Sequence, residues 1–166
     1  MAASAATHRE ATHNPLDRVE RLAEAKSWHL DRTNDHEVIM LVGGGWADLT
    51  ISFNWRDDLE SLHFACTLDL KVPDKRREEA IRLVSMINAQ LVHGHFDVWD
   101  NGTIIYRYAL LLAGGAEAND EQCEAMVHMG VETMHTYYPA INFVIWAGQP
   151  ADEALKNALL ETMGEA

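Results

Sequence analysis

The stretch Leu91-Val92-His93-Gly94-His95-Phe96-Asp97-Val98-Trp99-Asp100-Asn101-Gly102-Thr103-Ile104-Ile105-Tyr106-Arg107-Tyr108 holds a helix exit, a strand, a tight turn and a second strand. Leu91, Val92 and His93 end an amphipathic run, and Gly94 is the residue that most readily takes the left-handed conformation closing a helix. From His95 to Trp99 polar and apolar positions alternate. Asn101-Gly102 is the pair that a two-residue type I′ hairpin turn needs, because both central positions require positive φ. Thr103 to Leu112 then returns as the partner strand. Every feature here is architectural, and no residue announces a reaction.

Working back from the hairpin, Val72-Pro73-Asp74 stops a strand and starts a helix. Ala80, Ile81, Val84, Ile87 and Leu91 lie on one side of it, with Asp74 and Glu78 near its start, where the helix dipole favours negative charge. Before it, Leu62, Phe64, Cys66, Leu68 and Leu70 share one parity, and Leu49, Ile51, Phe53 and Trp55 share another, the period of half-buried strands. With Glu37 to Val42, these form an antiparallel meander having one core face. Trp28, Leu30 and Arg32 alternate with His29 and Asp31, which predicts a further short strand before the polar turn Thr33 to His36. Gly43-Gly44-Gly45 reads as a hairpin turn, since neither a Gly-Lys-Ser/Thr phosphate loop nor a Gly-x-Gly-x-x-Gly pattern accompanies it. Asn14 looks like an N-cap with Pro15 at the first helical position of a helix ending near Lys26, and Met1 to His13 reads as a flexible tail.

Beyond the hairpin, Asn119 and Gln122 form a capping-box pair. Cys123, Met126, Val127, Gly130, Val131, Met134 and Tyr138 then make an apolar stripe. Pro139 marks the end of this helix or a kink. The apolar run Ile141 to Trp146 follows, Gly148 ends it, and Gln149-Pro150 opens a last amphipathic helix with Leu155, Ala158, Leu159 and Met163. The expected class is α+β: an antiparallel sheet packed with helices in the order α-β-β-β-α-β-β-α plus a C-terminal helical extension, residues 139–166. The whole of 14–166 reads as one domain. That suits 166 residues at 48% hydrophobic content, enough for one well-buried core and short for two.

Charge narrows the function classes. A formal net charge of −13 argues against nucleic acid as a partner, because phosphates would be repelled, and it favours basic partners. No window is long and apolar enough to span a bilayer, and Met1 to Thr12 lacks the basic start and apolar core of a secretory signal, so a cytoplasmic location is expected. In that compartment Cys66 and Cys123 should be reduced, buried thiols. Asn101-Gly102-Thr103 matches a glycosylation sequon but serves as a turn.

Several motifs occur in consistent order from Asn14 to the C-terminus: Asn14-Pro15-Leu16-Asp17, Ser52-Phe53-Asn54-Trp55, Asp69-Leu70-Lys71-Val72-Pro73, Gly94-His95-Phe96-Asp97-Val98-Trp99 and Phe143-Val144-Ile145-Trp146-Ala147-Gly148. Together they resemble the YbjN-domain family, described as a "putative bacterial sensory transduction regulator". The resemblance implies a fold like that of the class I type III secretion chaperones, small acidic dimers that bind extended segments of other proteins. It brings no catalytic residues with it, and a shared fold does not carry function.

His93, His95 and Asp97 are the most site-like cluster, because ligand-type residues at alternate strand positions share a face and could reach one metal ion. They support a metal-dependent hydrolase or metal sensor as the alternative function. Against it, His93 belongs to the expected last helical turn, where strand alignment fails. His63, His128 and His135 read as ordinary polar positions. Cys123, near a helix start, could have a thiol pKa lowered by the dipole. Ser52 and Ser85 lack a Gly-x-Ser-x-Gly context, and Asp57-Asp58 and Glu78-Glu79 read as solvated charge. With no acid/base pair, nucleophile or cofactor loop left, the reading is a non-enzymatic regulatory or chaperone-like protein-binding domain without a cofactor. The Thr103 to Leu112 strand is apolar on both parities, so a second protomer is expected to cover the hairpin or the extension. The candidate contacts of a homodimer, or of an unidentified protein or peptide partner, are Trp99, Ile104, Tyr106, Tyr108, Phe143 and Trp146.

Overall fold

Asn14 holds an extended backbone and its side chain accepts a hydrogen bond from the Leu16 N–H at 3.0 Å, so helix α1 (Pro15–Lys26) begins where the cap and the proline place it. The computed structural model describes residues 14–43 and 45–164. The expected tail, Met1 to His13, lies outside the described residues, as does Gly44 in the turn between the second and third strands. The short strand at Trp28 to Arg32 appears as β1 (His29–Asn34), followed by β2 (Glu37–Val42), β3 (Leu49–Arg56) and β4 (Ser61–Lys71). A 3-10 turn, Asp74–Arg76, leads into α2 (Arg77–Asn88); β5 (His95–Val98) and β6 (Thr103–Leu111) form the hairpin, and α3 (Asp120–Ile145) and α4 (Ala151–Gly164) complete the chain.

The strands make one antiparallel six-stranded sheet in the order β1-β2-β3-β4-β6-β5. The expected α+β class is therefore the observed one, with β1 added to the meander as its edge strand. Directly opposed residues build a single buried face: Val38 and Met40 face Phe53 and Ile51, which face Phe64 and Cys66, and Cys66 faces Tyr106, which faces Phe96. The helices cover this face. α3 carries a capping box at Asn119 and Gln122, as its sequence predicts. Its backbone comes so close to the central strand that a Cβ on Gly130 would lie 2.4 Å from the Phe64 ring. Among the described residues no helix is long and apolar enough to cross a membrane.

Three local expectations are corrected. Helix α2 ends at Asn88 rather than near Gly94, because the Asn88 amide is drawn to the sheet: its Oδ1 accepts from the Phe96 N–H at 2.7 Å and its Nδ2 donates to the Phe96 carbonyl at 3.0 Å. Gly94 still has positive φ, 67°, but it sits in the loop, where a Cβ would strike the Tyr106 hydroxyl. The hairpin turn is also not type I′. Of its residues only Gly102 has positive φ; Gly102 N–H bonds to Trp99 carbonyl, and Trp99 N–H to Thr103 carbonyl, so the loop is three residues closed by a left-handed glycine. Asn101 spends its side chain on the Thr103 N–H instead.

The third correction concerns Pro139, which neither ends α3 nor separates an extension. The helix runs on to Ile145, because Ala140, Ile141, Val144 and Ile145 are all buried and their packing outweighs the donor that proline lacks. The corner between α3 and α4 is held from α2 and its leading turn. Arg76 donates to the carbonyls of Val144 and Gln149 at 2.7 and 2.9 Å, and Glu79 accepts from the Ala151 N–H at 2.6 Å. One cation thus caps the end of α3 and one carboxylate the start of α4.

Two stability predictions follow from these contacts. Gly130→Ala should lower unfolding stability by about 1–3 kcal/mol in chemical denaturation, since forced overpacking exceeds the gain of about 1 kcal/mol in helix propensity. Combined with Phe64→Leu, the loss should be smaller than the sum of the two single losses, because the shortened side chain makes room for the new methyl. Arg76→Ala should cost about 1–3 kcal/mol by leaving two helix-end carbonyls without their donor.

Candidate functional site

Among the described residues the sheet's second face carries no helix, and its side chains fall in rows set by the register. One row runs Ile39, Ser52, Ala65, Arg107, His95, and the next runs Leu41, Thr50, Thr67, Ile105, Asp97. The middle of this face is small and polar, while Leu41 near one side and Leu111 near the other are 58% and 72% exposed. Ile105 is buried although it lies outside the main core. The hairpin's register makes this face what it is. A two-residue Asn-Gly turn would set Asp97 opposite Tyr106, whereas the three-residue loop sets it opposite Ile105 and brings His95 opposite Arg107.

Among the described residues His93, His95 and Asp97 are not brought together as one ligand set. His95 Nε2 lies 3.4 Å from Asp97 Oδ2, and the same oxygen lies 3.3 Å from an Arg107 nitrogen, so the carboxylate is taken by a guanidinium that would repel a metal cation. His93 stands apart in the loop, its ring edge-on to Tyr108 at 6.3 Å, with its carbonyl accepting from the Tyr106 hydroxyl. Among the described residues no group of three or more His, Cys, Asp or Glu is placed to hold a metal ion. The Asp97–Arg107 pair is the part that sequence reading missed; the signal was there in the alternation of both strands, once the correct turn length is used.

A shallow hollow of about 350 Å3 opens beside this pair, lined by His63, Gly94, His95, Arg107, Tyr108 and Ala109. Burial first, then the charges of Arg107 and Arg56, hold the His63 imidazole below its ordinary value, with Asp58 opposing them. A larger hollow of about 450 Å3 lies between the start of α1 and the β3–β4 turn, lined among others by Trp55, Asp57, Asp58, Arg18 and Glu117. Its charges are largely committed: Arg56 grips Asp58 at 2.8 and 2.9 Å and keeps that carboxyl below its usual range, and Arg18 pairs with Asp120.

The interface candidates divide. Ile104 and Tyr106 are buried in the chain's own core, so neither is a surface contact; both lie on the helix-covered parity of β6. Tyr108 and Phe143 are half-buried against that core, whereas Trp99 and Trp146 are 46% and 72% exposed. Trp46 is exposed too, stacked near Tyr138 and over His135 on α3. His128 is exposed. The cysteines are fully buried and free. Burial pushes the Cys66 thiol up to about 12 and the Cys123 thiol up to about 11, so the helix start does not lower the latter as expected.

Both thiols should therefore resist a maleimide at pH 8 and react only in denaturant. For His63 the depressed folded value means that the unfolded chain binds the proton more readily; its stabilising contribution is whole above its ordinary value of 6.5 and is lost as pH falls below it. His63→Gln should lose stability less steeply than the parent as pH drops below that value. Arg107→Gln should raise the imidazole's midpoint in an NMR titration.

A family model described as "YbjN: Putative bacterial sensory transduction regulator" matches residues 15–143. The match takes in α1 through most of α3, leaving α4 beyond it. No curated protein matches. Among solved structures, the fold is similar to that in "Crystal structure of YbjN, a putative transcription regulator from E. coli", at 14% identity and a TM-score of 0.53, over 78% of this chain and 87% of that one. At that identity the likeness speaks for the fold. The family match spans most of the chain, and the chain belongs to the YbjN family.

Proposed function

We propose that this protein is a non-catalytic regulator that works by binding another protein, that it does so as a homodimer, and that the uncovered sheet face is where the partner meets it. The observation that carries the reading is the face itself. Thr50, Ser52, Ala65 and Thr67 make a centre of small side chains that leaves the sheet accessible, and exposed Leu41 and Leu111 stand at its margins. Such a face suits an extended or flat protein surface better than a small molecule, which needs an enclosing pocket. The family description as a regulator agrees with it, and the formal charge of −13 favours a partner with basic groups. Binding of extended segments, as in the chaperones the sequence resembles, is the finer form of the same reading.

Ser52→Arg and Ala65→Arg place a long charged side chain in the middle of this face without touching the core. Each should keep the parent's denaturation midpoint and recover at least tenfold less of the partner protein that the parent captures from its native cell extract. Equal recovery by parent and variants would sink the assignment to this face. Light scattering on the size-exclusion peak should return twice the chain mass.

A further inference from the structure

The two edges of the sheet are treated differently. At β5 the outward backbone is closed by α2: Asn88 takes both the N–H and the carbonyl of Phe96, and Arg77 donates to the Trp99 carbonyl at 2.8 Å. At β1 nothing comparable exists among the described residues. The backbone of His29–Thr33 bonds only within its ladder to β2, and Trp28 and Leu30 stay partly exposed beside the core. An unpaired edge is a template for another strand.

From the sequence of that edge we infer that its occupant is a second copy of this chain, β1 pairing antiparallel with β1 so that two sheets become one; the inference rests on the homodimer reading above. Directly opposed residues must share a face, and on β1 the even-numbered residues face the helices while the odd-numbered face the open side. Only registers keeping this parity are allowed. Centring the two-fold on Asp31 sets two aspartates against each other, and centring it on Arg32 sets Leu30 against Asn34 and leaves Asp31 facing Thr33, without an opposite charge. Centring on His29 leaves almost no overlap. With the two-fold at Leu30, Leu30 meets Leu30 of the second copy, His29 meets its Asp31, Asp31 meets its His29, and Trp28 lies opposite its Arg32. The central pair is then apolar, the flanking pairs are of opposite charge once the imidazole is protonated, and the outer pair sets the Trp28 ring beside the stem of an Arg32 whose guanidinium Asp17 and Glu20 of its own chain hold at 2.7 and 2.6 Å. His29 and Asp31 are exposed, and no described residue pairs with either side chain, so both are available. The helices of both copies would lie on one side of the joined sheet, leaving a continuous open face on the other.

Mild oxidation of a Leu30→Cys variant tests the register, since the native thiols are buried. A disulfide-linked dimer should form nearly quantitatively from Leu30→Cys and scarcely from Asp31→Cys, whose two sulfurs would be offset along the ladder by two residues, one in each strand. In sedimentation equilibrium Asp31→Lys should weaken the dimer at least tenfold, and His29→Asp combined with Asp31→Lys should restore it. A monomer mass for the parent would overturn this inference together with the homodimer. A dimer mass with no selective cross-linking at Leu30, or capture of a different protein by β1 without self-pairing, would overturn the β1 pairing alone and leave the homodimer standing.

Discussion

The contact between Phe64 and Gly130 sets the distance between the helical layer and the sheet. Phe64 sits near the middle of β4, with Phe53 on one neighbouring strand at 5.3 Å in edge-to-face contact and Tyr106 at 6.4 Å. The aromatic chain continues from Tyr106 to Phe96 and from Phe96 to Tyr137 on α3. Because Gly130 has no side chain, α3 can lie on the Phe64 ring, and the other core residues are sized to that separation. A helix so close to one face satisfies the burial needs of the sheet on that side. No helix among the described residues then remains for the other face.

The one-sided arrangement explains where the polar chemistry is found. Antiparallel sheets tolerate a solvated face, and here that face collects Asp97, Arg107, His63 and His95. They interact with one another across strands at distances and exposures that make each pair weak in stability terms. Their importance is local character: a cation beside imidazoles on a chain that is otherwise strongly acidic.

The α2 helix has a different task. Its leading turn and its two ends reach three separate parts of the structure, Arg76 and Glu79 holding the α3–α4 corner, Arg77 the hairpin tip and Asn88 the edge strand β5. These bonds satisfy backbone groups that helix ends and sheet edges leave open. They also tie α4, which lies beyond the family match, into the same body as the sheet.

Much of this was legible in the sequence because it depends on short-range chemistry. The Asn14-Pro15 start, the Asn119/Gln122 box, the strand parities and the positive φ of Gly94, Gly102 and Gly148 are local features that tertiary contacts left in place, although Gly94 does not close α2. What the sequence could not decide was every choice made by a residue distant along the chain. Asn88 ends α2 early because Phe96 offers it two bonds, and α3 crosses Pro139 because its last turns are buried. The hairpin loop takes three residues because the core needs Phe96 opposite Tyr106, and that single step sets Asp97 on the open face within reach of Arg107. The open face was foreseeable from one polar parity in β3 and β4. Its far side was not, since Ile104 and Tyr106 could be recognised as core only once the register of β6 against β4 was fixed.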